Sequence, residues 1–223
     1  MIKFENTEVF NFEGAFKGMR NPFNSWDKSD SYLNYDNYPW KTDSFIIGDN
    51  DLALARKLIK AGSDHRKFLR QIFVSVDITA PLYWWKEFDT YKVATVANSC
   101  STMHTIHKKE FTFDDFSCEH LGEDVIVNGE NLNVARECLH QTIKVLNTLR
   151  SWYLDLGDKK HWYNMIQLLP TSYNQKRTVT LNYETLRNIY GSRRNHKLDE
   201  WSVGFMGWID SLSYAEELIK YGI

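Results

Sequence analysis

The sequence predicts an α/β (α+β) fold in which a central sheet is flanked by long helices, and three stretches carry that expectation. Residues 72–78, IFVSVDI, set Ile72, Val74, Val76 and Ile78 against Phe73, Ser75 and Asp77. This is the period of two that sends successive side chains to opposite faces of a strand. From Asn131 to Leu156, Val134, Cys138, Leu139, Ile143, Leu146, Leu149 and Trp152 recur at three- and four-residue intervals, an apolar helical stripe about seven turns long. Asn182 is a natural N-cap for a helix from Tyr183 to about Arg194, because its short amide can accept from a first-turn N–H that has no partner within the helix.

The remaining elements follow in chain order. The first 45 residues are rich in Asn, Asp, Ser and aromatics, with turn chemistry at Asn21-Pro22 and Asn24-Ser25, and read as an irregular segment. Within it, GMRNPFNS (18–25) is either a lid that brings Arg20 to an anion or a structured surface loop. Asp51 opens a helix whose apolar positions Leu52, Ala55, Leu58 and Ile59 end at Gly62. Pro81 suits the first turn of a helix through LYWWKEFDTYK, which sets Trp84, Phe88 and Tyr91 on one face. A shorter helix runs from about Lys160 to Leu169 and stops at Pro170, and a last helical region spans about Leu198 to Lys220. No internal repeat or low-complexity tract is visible.

A chain of 223 residues with 43% hydrophobic and 15% aromatic residues buries a core of its own, and 1–223 reads as one domain. A net charge of -2 supplies no broad basic field, which argues against nucleic-acid wrapping and leaves small anionic ligands open. The opening MIKFENTEVF lacks a signal-peptide core and no run reaches membrane-spanning length, so a cytoplasmic protein without a membrane span is expected. Cys100, Cys118 and Cys138 form an odd set without disulfide spacing and read as reduced thiols. Cys100, His104, His107, Cys118 and His120 match no zinc spacing, so no metal site is expected.

From about Leu52 to Ile219 the order of elements and two local blocks resemble the flavin-dependent thymidylate synthases. In PLYWWKEFDTYKVATVANSCSTMH (81–104), Thr90-Tyr91-Lys92 stands where the family has Arg-His-Arg. With a one-residue insertion, Ser101 matches the substrate-side serine, and Met103-His104 replaces Arg-Tyr. In LLPTSYNQKRTVTLNYETLRNIYGSRRNHKLDEW (168–201), Asn182 matches the asparagine of Asn-x-Arg and Glu184 takes the next arginine's place. Asn188 stands at a position often histidine, Arg193 matches the arginine that grips the nucleotide phosphate, and Asp199 falls near an expected glutamine. The resemblance implies a thymidylate synthase-like fold and a homotetramer with FAD as cofactor. It implies NADPH and methylene-tetrahydrofolate as well if the chain is an active enzyme. It implies nucleotide contacts at Arg193 and Ser101, which Glu87 and Asn98 join as candidates on their own chemistry, and cofactor contacts at Tyr91, Lys92, Asn182 and Asn188. No catalytic side chain is implied, since flavin and folate carry the chemistry and the protein binds and orients.

Physical chemistry leaves two readings at most of these positions. Arg193 shares a helix face with Leu186, Ile189 and Tyr190, so its planar fork either grips a phosphate or pairs with Glu200 or Glu216. Lys92, Asn98 and Ser101 either bond a base or phosphate or satisfy their own loop. Tyr91, Trp84 and Trp85 either stack on a ring or pack a core, and Glu87 and Asp89 either accept from a base imide or face solvent. Two functions compete: FAD-dependent reductive methylation of dUMP or a related uracil-type nucleotide, and a catalytically inactive protein that senses or sequesters a nucleotide, for example a viral anti-defence sponge. The replaced Arg-His-Arg and Arg-Tyr positions favour the second. A purely structural subunit is the third reading.

Overall fold

The computed structural model describes residues 2–35, 44–122, 125–127 and 130–223. Along them lie β1 (Lys3–Phe10), α1 (Phe12–Arg20), β2 (Tyr32–Leu33), β3 (Phe45–Ile46), α2 (Asp49–Lys60), β4 (Phe73–Pro81), α3 (Leu82–Phe88) and β5 (Val96–Ser99). They continue with α4 (Thr102–Thr105), β6 (Val125–Val127), β7 (Glu130–Leu132), α5 (Val134–Leu156), α6 (Lys159–Leu168), β8 (Asn174–Asn182), α7 (Tyr183–Arg193) and α8 (Met206–Asp210). Two π-helical stretches, Glu200–Phe205 and Ala215–Ile219, flank α8. The four-stranded sheet has the order β1-β4-β8-β5, and β2-β3 and β6-β7 are antiparallel ribbons. Among the described residues no helix is long and apolar enough to cross a membrane.

The chain forms two compact units. One holds Phe4–Ile78, Thr90–Asn98 and Thr178–Ile223. In it Val74, Val76 and Ile78 of β4 and Val179 of β8 are fully buried, as the alternation at 72–78 predicts. Phe12 packs its ring on those of Phe45, Tyr183 and Tyr214 at 5.7–5.9 Å, joining α1 to the start of α7. Arg20 and Asp51, both almost without solvent exposure, form an ion pair at 2.5 Å, and Ser29 Oγ also donates to Asp51. A buried pair of this kind fixes the approach of α1 and α2, since either charge alone would be strongly destabilising.

The other unit holds Thr79–Asp89 and Ser99–Arg177 together with the first residues of the chain. Its core is the inner stripe of α5, Leu139, Ile143, Leu146 and Leu149, packed with Met165 of α6 and with Ile106, Phe111 and Phe116. Asn133 caps α5 by accepting from Arg136 N–H at 3.1 Å, and Gly157 ends it with φ 66°. Trp84, Trp85 and Phe88 of α3 are buried against one another, so the tryptophans of this helix pack a core.

Several expectations need correction. The start of the segment expected to be irregular is regular: β1 and α1 occupy it. Most β1 side chains are exposed, so no period of two marks the strand, and Gly14 and Gly18 lower the helical signal of α1. Residues 36–43 of that segment lie outside the described residues. The first turn of α2 is served by Asp30, which accepts from the Asn50 and Asp51 amides at 2.8 and 3.0 Å, while Asp51 itself faces Arg20. The helix expected to run to Lys92 stops at Phe88, where Asp89 N–H bonds back to Trp85, so Tyr91 is not on a helix face with Trp84. The long helix begins at Val134 because Glu130–Leu132 pairs as β7. The last helical region is interrupted after Asp210, where Tyr214 adopts a φ of 57°.

Candidate functional site

The site is built where β8 runs into α7. Asn182, only 3% exposed, caps α7 by accepting from Thr185 N–H at 2.9 Å. Its amide nitrogen donates to the carbonyl of Arg70 at 3.2 Å, tying the helix start to the 3-10 turn Lys67–Gln71. Glu184 accepts twice from Nε of Arg66, at 2.9 and 3.1 Å, so the carboxylate in this wall is neutralised by a guanidinium. Thr185 Oγ1 donates to the carbonyl of Val93 at 3.2 Å and anchors the loop after Thr90. In that loop Ala94 has φ 55°, a left-handed conformation that costs a residue with a Cβ about 1–2 kcal/mol. The surrounding bonds hold the turn in place against that cost.

These elements wall a cavity of about 540 Å³. Tyr91, Lys92, Asn182 and Asn188, the four positions expected to contact a cofactor, all line it, together with Arg70 and Glu184. Its volume lies within the roughly 300–1,000 Å³ typical of small-molecule sites. Its chemistry is mixed: one aromatic ring, the cations Lys92 and Arg70, the amide of Asn188, and one carboxylate already paired.

Arg193 closes α7 and is held by aromatic residues. Its Nε donates to the Tyr91 hydroxyl at 2.8 Å, and its guanidinium lies 5.7 Å from the Tyr91 ring and 5.1 Å from the Trp201 ring. Hydrogen bond and cation–π contacts together fix the plane of the fork. Asn98 is exposed on β5 in the same unit. Ser101 and Glu87 belong to the other unit, where Ser101 caps α4 by accepting from His104 N–H at 3.1 Å and Glu87 is half-buried on α3.

Arg177 donates to Asp89 at 2.7 Å and lies 4.2 Å from the Trp85 ring centre, so it is a packed residue. Arg20, which one of the two readings of residues 18–25 put on a lid, finds its anion in Asp51. Sequence reasoning passed over Arg66, Arg70 and Arg187. Arg187 is buried and donates to the carbonyls of Ile219 and Tyr221, both at 2.8 Å, so it ties α7 to the chain's end. Desolvation and the nearby Arg66 charge push its pKa below the ordinary value. The helix-ending Gly62 and the polar Ser63-Asp64-His65 after it were the available signal for the Arg66–Arg70 wall. Among the described residues, no group of three or more His, Cys, Asp or Glu is arranged to hold a metal ion.

No protein-family model and no curated protein matches the chain. Solved structures do match. Thymidylate synthase X (ThyX) from Helicobacter pylori, crystallised with FAD and dUMP, superposes with a TM-score of 0.67 at 16% identity, over 99% of this chain and 98% of that one. A second structure of the H. pylori flavin-dependent enzyme complexed with FAD and dUMP gives 0.65 at 16% identity, over 97% and 98%. The mixed helix-and-sheet chain therefore has a ThyX-like fold along its whole length.

Proposed function

We propose that the chain is an FAD-dependent thymidylate synthase-like protein that seats its flavin nucleotide in the Tyr91–Asn188 cavity. It acts on dUMP or a related uracil-type nucleotide by reductive methylation at C5, as a cytoplasmic homotetramer. The observation that carries the reading is convergence: four residues matched to cofactor positions from sequence, spread from 91 to 188, line one cavity of about 540 Å³. Similar folds crystallised with FAD and dUMP support it.

The residues fit the group. Lys92 and Arg70 supply positive charge for a pyrophosphate, Asn188 supplies an amide, and Tyr91 supplies a ring edge. Glu184, standing where an arginine is the family's choice, would repel phosphate if bare, but Arg66 holds it at 2.9 Å. When bound, reduced FAD would supply the electron pair, methylene-tetrahydrofolate the carbon, and NADPH the reducing equivalents. The chain binds and orients: Arg193, its plane set by Tyr91 and Trp201, grips the substrate phosphate, with Asn98 of the same unit as a further nucleotide contact.

A second reading is favoured by one observation: Thr90 and Tyr91 replace a guanidinium and an imidazole, and the Tyr91 hydroxyl is engaged by Arg193. On that reading the chain keeps a nucleotide and returns it unchanged. An absorbance spectrum after FAD loading and removal of the excess, followed by an assay of NADPH-dependent dUMP turnover, separates them. Retained flavin with turnover supports the synthase, nucleotide binding without flavin or turnover supports sequestration, and neither behaviour removes both.

A further inference from the structure

A second cavity, of about 500 Å³, lies in the same unit and shares one wall residue, Arg70, with the first. Its two sides differ in chemistry. The turn Asn21–Phe23 after α1 contributes Pro22 and the ring of Phe23, which is 54% exposed, over a floor that includes the buried Phe68. The segment after Gly62 contributes Lys67, Arg70 and His65, with Asp64 as the acid among them. Arg70 is oriented from behind: its Nη2 donates to the Ser63 carbonyl at 3.0 Å while its own carbonyl accepts from Asn182. The close approach of α1 to this wall depends on Gly18, where an added Cβ would come within 2.8 Å of the Gln71 amide oxygen.

An exposed flat ring on one side and paired cations on the other select a ligand with a planar apolar face and an anionic group. A large aromatic half in water at the mouth of a concave site gains by stacking, and a guanidinium with an ammonium in the same lining favours phosphate and other anions over neutral ligands. We propose that this cavity is a second site, for a nucleoside phosphate, with Phe23 as its stacking surface and Lys67 and Arg70 as its phosphate ligands. The ligand's source is either a free nucleotide or the far half of a dinucleotide seated in the first cavity and crossing at Arg70. Only the dinucleotide source rests on the flavin reading above.

Isothermal titration of the full chain with ADP, FMN and FAD tests this, using the wild type, Phe23→Ala and Lys67→Ala, both at exposed positions outside the first cavity. With a free nucleotide, ADP binds without flavin and each substitution weakens it at least fivefold. With a dinucleotide, FAD binds at least tenfold more tightly than FMN and each substitution removes most of that advantage while FMN affinity stays unchanged. ADP binding and FAD preference that are absent, or indifferent to both substitutions, overturn the site. FMN binding that is indifferent to both substitutions reports on the first cavity, and the absence of both FMN and FAD binding beside Lys67-dependent ADP binding contradicts the flavin reading and leaves the second site standing.

Discussion

Arg193 Nε donates to the hydroxyl of Tyr91 at 2.8 Å, and the two residues are 102 positions apart in sequence. The bond joins a residue lining the first cavity to the arginine assigned to the substrate phosphate, and it leaves the guanidinium plane set before a ligand arrives. An arginine already ordered loses less side-chain entropy on binding than a mobile one.

Tyr91→Phe removes that acceptor and keeps the ring. The expected outcome is dUMP affinity weaker by about 1.5 kcal/mol, roughly tenfold, with thermal stability nearly unchanged. Calorimetric titration checks it. Arg193→Ala, which removes the fork itself, is expected to cost about 1.5–3 kcal/mol of binding. An unchanged affinity in Arg193→Ala takes Arg193 out of the site.

The buried pair of Arg20 and Asp51 makes a stability prediction. Asp51→Ala strands a buried guanidinium and is expected to cost about 3–5 kcal/mol in urea unfolding. Burial pushes the Asp51 carboxyl up, but hydrogen bonds from Ser29, Ser31 and Arg20 and the arginine's charge outweigh it and hold its pKa below the ordinary 3.8. A depressed carboxylate pKa means that the unfolded chain binds the proton first on acidification. The contribution is therefore complete above the unfolded pKa and is lost as pH falls through the folded value. The stability gap between wild type and Asp51→Asn should narrow as pH drops below about 4. A gap independent of pH over that range contradicts the assignment.

Asn182 was matched to a cofactor position, yet both ends of its amide are engaged by the backbone. Asn182→Ala should destabilise the chain by about 1–2 kcal/mol through loss of the α7 cap. Asn182→Asp keeps the acceptor and loses the donor to Arg70, so its unfolding midpoint should lie between the two. Equal midpoints for the wild type and Asn182→Ala would mean that the cap contributes nothing.

What the sequence made legible were the features that one segment can encode. The alternation at Ile72–Ile78, the inner stripe of α5 and the Asn182 cap each depend on neighbours within a few residues, and each stands in the structure. β5 escaped because all four of its residues are exposed. In the site, Tyr91, Lys92 and Asn188 came from matching motif positions, while Arg70 and the Arg66–Glu184 pair are products of folding. The latter join residues 118 positions apart: the turn after Gly62 marks where Arg66 lies, but no local pattern pairs it with Glu184.

The central claim, that the first cavity holds a flavin nucleotide with Lys92 as one of its cations, is tested most directly by titrating FAD fluorescence against the wild type and Lys92→Ala. Lys92 is exposed, so its loss should leave folding intact. Saturable quenching by the wild type is expected, with a dissociation constant about tenfold higher for the variant, the value of one phosphate contact of about 1.4 kcal/mol. FAD whose fluorescence neither protein alters, and which separates completely from both on gel filtration, would contradict it.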